Sequence, residues 1–222
     1  MSVVTIARVL PAPSRAERKV TSASKGHCIG FAVLGRGAGA RMQAESHLEL
    51  SHLYLLNADP AIADLREQVR FRYGRGDART HVFDVVYTTH SGRRIACTIK
   101  PERRLASGRF LREMQTVAWW VQKKAFAADV RLLTDADLDP VALHNARIVA
   151  AVRGDDAEAD AAAREATGTI LGAVALGDLV SATRLEARGY RALLRLLRDR
   201  ELGLVRHEII TPATLVKPIG AN

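Results

Sequence analysis

Two kinds of apolar run share the first two thirds of the chain. Short runs rich in Val, Ile, Thr and Tyr predict β-strands, and stretches whose apolar residues recur every three or four positions predict amphipathic helices. The predicted strands are residues 27–34, 69–73, 82–89, 94–100 and 127–134. The predicted helices are residues 43–57, a short turn at 65–68, and a helix with Phe110, Met114, Val117 and Val121 on one face. This order predicts an α/β fold with a mixed sheet flanked by helices.

The remaining third has a different pattern. From Asp155 the composition shifts to Ala, Asp and Glu, and we expect a domain boundary between residues 141 and 156. A short helix at 176–182, a longer helix at 186–200 and a strand-like run at 207–211 follow in the order of a winged helix-turn-helix. The predicted domains are therefore a basic N-terminal arm at 1–26, an α/β domain at 27–150 and a winged-helix-like C-terminal domain at 151–222.

The longer C-terminal helix carries an arginine stripe. Its apolar side holds Tyr190, Leu193, Leu194 and Leu197, and its other side holds Arg188, Arg191, Arg195 and Arg198. Such a stripe is either a solvated helix face or a surface that contacts phosphate or a partner protein. Both interpretations stay open at the level of sequence.

Charge narrows the class of partner. The 222 residues include 33 Lys and Arg against 24 Asp and Glu, a formal net charge of +9. This excess suits a polyanion such as nucleic acid, and an anionic membrane surface would also suit it. No apolar run approaches the roughly 20 residues of a spanning helix, and the first residues lack a signal-peptide pattern, so we expect a cytoplasmic protein. Cys28 and Cys97 are too few to form a metal knuckle.

Three charged residues stand in otherwise apolar runs. Glu49 shares a helical stripe with Leu53 and Leu56, where an ionised carboxylate needs a metal, an arginine or a lysine as partner. Asp84 lies in the middle of a predicted strand, where aspartate is disfavoured, and Lys100 closes the next strand. Paired carboxylates and a cation are what a metal-dependent nuclease needs.

The predicted hairpin brings these residues together. With a side-chain period of two, Thr98 and Lys100 share one face of the second strand, and a suitable register places Asp84 beside them, under Glu49. Two plainer interpretations remain: Glu49 forms a salt bridge to an arginine, and Asp84 and Lys100 form a cross-strand ion pair. The loop at 35–40 also matches G-x-G-x-x-A, but no βαβ series follows to support a dinucleotide site.

Taken together, these motifs resemble a known family. Residues 45–56 (ESHLELSHLYLL), Asp59-Pro60, residues 65–68 (LREQ), Phe83-Asp84 and residues 99–101 (IKP) are similar to the N-terminal domain of TnsA, the endonuclease subunit of heteromeric transposases. The resemblance covers about residues 27–140, and the tail resembles the family's C-terminal domain less specifically. It implies a restriction-endonuclease-like fold of the PD-(D/E)XK type.

The resemblance also implies roles for individual residues. Glu49, Asp84 and Lys100 match the catalytic glutamate, the metal-binding aspartate and the catalytic lysine of the family. Mg²⁺, for which Mn²⁺ substitutes, is expected on Glu49, Asp84 and the backbone carbonyl of Ile99. Thr98 stands where the family has Gln or Glu and restriction enzymes have a second acid; a hydroxyl contributes no charge and is expected to bind metal through water.

The implied function is the 5′-side strand cut at transposon ends, made together with a transposase subunit and an ATPase regulator. The sequence leaves two alternatives open. Because Thr98 is neutral, the chain is alternatively a catalytically weakened DNA-binding or assembly subunit of the same ancestry. It is also compatible with a stand-alone restriction or repair nuclease, which would cut DNA without a partner.

Overall fold

The computed structural model describes residues 9–18 and 29–220. Its helices are α1 (His47–Ala58), α2 (Arg109–Lys123), α3 (Pro140–Ala150), α4 (Ala157–Gly168), α5 (Leu176–Thr183) and α6 (Glu186–Arg198). Its strands are β1 (Gly30–Leu34), β2 (Ala40–Ala44), β3 (Ile62–Tyr73), β4 (Arg79–Thr89), β5 (Arg94–Ile99), β6 (Asp129–Leu133), β7 (Val174–Ala175), β8 (Leu202–Leu204) and β9 (Leu215–Pro218).

A mixed sheet in the order β3-β4-β5-β6 organises the first part of the chain. Strands β3, β4 and β5 are antiparallel neighbours, and α2 carries the chain over the sheet so that β6 lies parallel to β5. One apolar cluster joins Leu53 of α1 to Val85 and Cys97, and a second joins Val117 of α2 to Val86 and Ala96. The predicted α/β fold with a mixed, helix-flanked sheet is confirmed.

The pairing of β4 with β5 ends where the site begins. It runs from Thr88 opposite Arg94 to Val85 opposite Cys97, and the next residue of β4 is Asp84. Beyond this point the backbone N–H of Ile99 donates to the Asp84 carboxylate and not to β4 backbone. The strands separate here, so a carboxylate takes over a hydrogen bond that the ladder no longer supplies.

Two local predictions in this part are wrong. Residues 40–44 form strand β2, which pairs with β1, and the first helix begins at His47, because the Ser46 side chain caps it by accepting the Glu49 N–H. Residues 65–68 lie within strand β3 and form no helical turn. Pairing with a neighbouring strand overrides local helical preference in both places.

The glycine-rich loop is the turn of the β1–β2 hairpin. Gly35, Gly37 and Gly39 all have positive φ, and a Cβ on Gly39 would lie 2.6 Å from the carbonyl oxygen of Leu34. A dinucleotide fingerprint requires a helix after the loop, whereas a strand follows here. The loop therefore has no dinucleotide-binding geometry.

The described part of the predicted arm, residues 9–18, lies along the sheet. Ala12 forms a parallel bridge with Ala40, and the N–H of Glu17 donates to the carbonyl of Gln68. The arm's other residues, 1–8 and 19–26, and the start of the predicted strand at 27–28, are outside the described residues.

The C-terminal part combines α4, α5 and α6 with a three-stranded sheet in the order β7-β9-β8. Leu176, Leu193, Leu196 and Val216 lie in its apolar core. Helix α3 packs against both α1 and α6 and so connects the two parts of the chain. The strand predicted at 207–211 is wrong: strands form at 202–204 and 215–218, where pairing partners are present. None of the helices in the described ranges has the length and apolarity to cross a bilayer.

Candidate active site

Glu49 occupies the N-terminal turn of α1, in a reciprocal cap. Its backbone N–H donates to Ser46 Oγ at 3.1 Å, and its own carboxylate accepts from the Glu45 N–H at 2.8 Å. The Ser46 hydroxyl also donates to Glu49 Oε1 at 3.0 Å. The Ser-x-x-Glu spacing is that of a capping box, but the Glu49 carboxylate accepts the N–H of the residue before the N-cap and not that of Ser46 itself. The side chain is only 6% exposed. Within the described ranges Glu49 has no ion pair at salt-bridge distance, so none of these residues supports the plainer interpretation of a salt bridge to an arginine.

Asp84 lies at the opening between β4 and β5. Its Oδ2 accepts the Ile99 N–H at 2.7 Å and lies 3.8 Å from Lys100 Nζ. The Asp84 side chain is 5% exposed, whereas that of Lys100 is 38% exposed. A buried carboxylate is thus held by β5 and faces an amine that reaches solvent.

The charges of Asp84 and Lys100 both act on the carboxyl group of Glu49. Burial and then the negative charge of Asp84 raise the pKa of Glu49 to about 7, against the opposing effects of the Glu45 N–H, Ser46 and Lys100. Burial also raises the pKa of Asp84, although Lys100 and the Ile99 N–H lower it. Asp84 and Lys100 are thus in contact, and Glu49 is linked to both through charge. The carboxylates of Glu49 and Asp84 repel each other in a buried setting, and a bound cation would relieve this repulsion.

Gln68 joins the site from β3 and was not predicted. It lies between Glu67 and Val69, which pair with Val85 and Phe83 of β4. Gln68 is fully buried, and its Nε2 donates to Glu49 Oε2 at 3.3 Å. Its φ of 50° is in the left-handed region, which non-glycine residues in strands seldom adopt. Strain of this kind is concentrated at functional sites. The sequence signal was the run at 65–68, interpreted as a helical turn.

Thr98 contacts a second unpredicted residue, His81. The His81 Nε2 and Thr98 Oγ1 are 3.0 Å apart, and Thr98 is buried. Burial, Lys100 and Arg18 lower the pKa of His81 to about 4, so the imidazole is neutral near pH 7. A neutral ring that accepts the Thr98 proton leaves the hydroxyl lone pairs free to accept a further bond.

The donor set fits a hard cation that retains water. Among the residues that the structure describes, no three or more His, Cys, Asp or Glu side chains form a metal-binding group. Glu49 and Asp84 provide two carboxylates, and Thr98 provides a hydroxyl on β5, one residue before Ile99, whose N–H Asp84 accepts. Mg²⁺ is commonly held by one or two carboxylates with several waters, so this set suits Mg²⁺ and not a fully caged ion.

All four arginines of the α6 stripe bond to other groups of the protein. Arg195 is 4% exposed and pairs with Asp160 at 2.6 Å, so the interpretation of a solvated face does not hold for this residue. Arg188 pairs with Asp156 and Glu158, Arg191 donates to the Ala151 carbonyl, and Arg198 donates to the Val152 and Arg153 carbonyls. Arg188 and Arg191 remain exposed. For the stripe, binding of DNA or a partner stays a prediction and would compete with these bonds.

Comparison of the chain with models of protein families and with curated protein sequences finds no match. The assignment of the site therefore depends on its geometry and its chemistry.

Proposed function

We propose that this chain is a metal-dependent DNA endonuclease, the subunit of a heteromeric transposase that makes the 5′-side cut at transposon ends. The observation that carries the proposal is the buried pair Glu49 and Asp84 with Lys100 Nζ 3.8 Å from Asp84 Oδ2. A net charge of +9 supports a nucleic-acid substrate. In this proposal the mixed sheet is a restriction-endonuclease-like core and the C-terminal part is winged-helix-like.

Glu49 and Asp84 would hold Mg²⁺ or Mn²⁺, together with the Ile99 carbonyl and with Thr98 through water. Such an ion, when bound, lowers the pKa of a water ligand and polarises the phosphate. The protein contributes the positions of its ligands: the Glu45 N–H and the Ser46 hydroxyl hold the Glu49 carboxylate, and the Ile99 N–H holds that of Asp84. Both carboxylates are thus oriented before substrate arrives, which reduces the cost of reorganisation.

Lys100 is suited to the charge that develops at phosphorus. Lys100 directly follows β5, and its side chain is 38% exposed. An ammonium is a compact charge with rotatable donors, so it can orient the attacking water or neutralise a phosphate oxygen in the transition state. Asp84 holds the amine near the scissile position until phosphate replaces it as partner.

The proposed partners are transposon-end DNA, a transposase subunit and an ATPase regulator. In this arrangement the C-terminal part docks protein or DNA through the exposed end of the α6 stripe, Arg188 and Arg191. The bonds that Arg188 makes to Asp156 and Glu158 favour protein docking over phosphate contact, since an acid-paired arginine gains less from a new anion.

A weakened, non-cutting subunit of the same ancestry is the second candidate, and Thr98 is the observation that favours it. The position next to Asp84 on β5 holds a neutral hydroxyl in contact with His81, where a second acid would add charge for the metal. This candidate predicts DNA binding and assembly without strand cleavage.

The test is nicking of supercoiled plasmid carrying a transposon end, with Mg²⁺ or Mn²⁺, with and without a cognate transposase subunit. Asp84→Asn keeps an oxygen for the Ile99 N–H but removes the charge, and nicking should disappear. Asp64→Asn is the matched control, because Asp64 is an exposed acid on β3 and pairs with Arg15. Cutting without the partner indicates the stand-alone nuclease. Binding without cutting by wild type, partner present, indicates the weakened subunit.

A further inference from the structure

Arg18, at the end of the described part of the N-terminal arm, reaches into the site. Its Nε and Nη2 donate to Gln68 Oε1 at 3.1 and 2.7 Å, and Nη2 lies 2.5 Å from Glu45 Oε2. Gln68 in turn donates to Glu49 Oε2 at 3.3 Å. A chain of contacts therefore runs from the arm to a proposed metal ligand.

Arg18 determines which way the Gln68 amide points. A guanidinium has only donors, so the oxygen of the amide must face it and the NH₂ group must face Glu49. The reversed amide would put NH₂ against the guanidinium and oxygen against the carboxylate, two repulsive contacts. Because Gln68 is fully buried, no water is at hand to relieve them.

We propose that Arg18 is a positioning residue that orients Glu49 for metal through Gln68, so that the N-terminal arm completes the nuclease site. The inference depends on the proposed function, because it concerns the same metal ligands. Arg18 does not touch the metal or the DNA in this scheme. It acts by keeping the Gln68 NH₂ group pointed at Glu49 Oε2. This hydrogen bond fixes the orientation of the carboxylate, so that its remaining lone pairs point toward the metal position.

The arm has further attachments, so removing Arg18 leaves it in place. Ala12 bridges to Ala40, Arg15 pairs with Asp64 and donates to the Leu65 carbonyl, and Glu17 accepts from the Arg70 N–H. Arg15 is a matched control for Arg18. Both are arginines of the arm with partly exposed side chains, but the contacts of Arg15 are to Asp64 and Leu65 and include no residue of the site.

Charge alone predicts the opposite effect on metal. A guanidinium near two carboxylates repels a divalent cation, so its removal would tighten Mn²⁺ binding if Arg18 had no other role. Loss of an outer residue that orients a ligand weakens metal binding, commonly by 10- to 100-fold. The direction of the change therefore separates positioning from simple electrostatics.

The experiment is calorimetric titration of the full chain with Mn²⁺ alone. We expect Arg18→Met to weaken binding about tenfold, and Arg15→Met to leave the affinity within about twofold of wild type. Gln68→Met should weaken it as much as Arg18→Met, and the double variant should be no weaker than Gln68→Met, because the two residues act in series. Unchanged or tighter binding by Arg18→Met, or additive losses in the double variant, would overturn the inference.

Two further measurements separate a positioning effect from a loss of folding and from a loss of charge. Thermal unfolding in EDTA should show similar small losses for Arg18→Met and Arg15→Met, which establishes that both fold. Arg18→Lys keeps the charge but cannot make both bonds to Gln68. Its affinity for Mn²⁺ should therefore lie between those of wild type and Arg18→Met. An affinity equal to that of wild type would overturn the positioning role. If wild type itself binds no Mn²⁺, the proposed function fails and this inference with it, whereas wild-type binding with an unaltered Arg18→Met rejects this inference alone.

Discussion

Lys100 Nζ lies 3.8 Å from Asp84 Oδ2 at the point where β4 and β5 stop pairing. The aspartate is buried and also accepts the Ile99 N–H, so it is restrained, while the lysine extends toward solvent. An ion pair with one buried and one accessible member is suited to exchange: the amine can turn to a phosphate without leaving the carboxylate unsatisfied.

Replacement of Lys100 should separate catalysis from metal binding. In Lys100→Met we expect the nicking rate at saturating Mn²⁺ to fall about 10²- to 10³-fold, because a donor to developing charge is lost. The affinity for Mn²⁺ should not fall, because a competing cation has been removed from beside Asp84. A variant that loses metal affinity and rate together would contradict the assigned role. Lys124→Met, a lysine that pairs with Asp77 on the β3–β4 hairpin, is the control.

Glu49 should make the stability of the metal-free protein depend on pH. Its pKa is raised from 4.5 to about 7 in the folded state, because burial favours the protonated carboxyl group. The contribution of this group to the free energy of unfolding is therefore fully present below about pH 4.5 and is lost as pH rises through 7. Glu49→Gln keeps a side-chain oxygen for the Glu45 N–H but cannot ionise. Relative to wild type, we expect this variant to gain on the order of 2–3 kcal/mol of unfolding free energy between pH 4.5 and 8 in EDTA.

The measurement is urea unfolding of both proteins across this pH range. Glu113→Gln, an exposed acid on α2, should track wild type at every pH. Added Mn²⁺ should cancel the advantage of Glu49→Gln at pH 8, because metal stabilises only the protein that retains the carboxylate. A difference between wild type and Glu49→Gln that does not change with pH would refute the burial of a charged Glu49.

Thr98 should matter through its hydroxyl. Thr98→Val preserves shape but removes the oxygen, so Mn²⁺ binding should weaken several-fold if a metal-bound water bonds to it. The same change leaves His81 without its partner and should cost about 1 kcal/mol of stability. Thr98→Ser is the control that retains the hydroxyl. Calorimetric titration with Mn²⁺ measures the first effect; equal affinities for Val and Ser variants would exclude Thr98 from the metal shell.

Two arginines of the α6 stripe should differ in their effect on stability. Arg195→Met removes the partner of Asp160 in a buried pair and should cost about 3 kcal/mol. Arg188→Met breaks exposed pairs to Asp156 and Glu158 and should cost less than about 1 kcal/mol. Urea unfolding compares the two. Similar small costs would mean that the Arg195 pair is open to water in solution.

Period and residue type were sufficient for the main elements of the sheet domain. The helix with Met114, Val117 and Val121 has these residues buried, and Asp84 is on a strand beside the strand of Thr98. The same reasoning missed β2 and the middle of β3, because these segments are strands through pairing with neighbours and not through their own composition. It also placed a strand at 207–211, where no partner strand is available.

Local chemistry indicated Glu49, Asp84 and Lys100, because charged groups in apolar runs must find partners, and a hairpin can bring only certain residues together. Which partners they find depends on the folded chain. Backbone conformation decides two of these contacts: the Glu45 N–H donates to the Glu49 carboxylate, and Gln68, with its positive φ, donates its amide to Glu49. A third contact joins residues far apart in sequence, because Arg18 donates to Gln68. The hydrophobic periodicity of the sequence does not predict such contacts, because they form only when the folded chain brings these residues together.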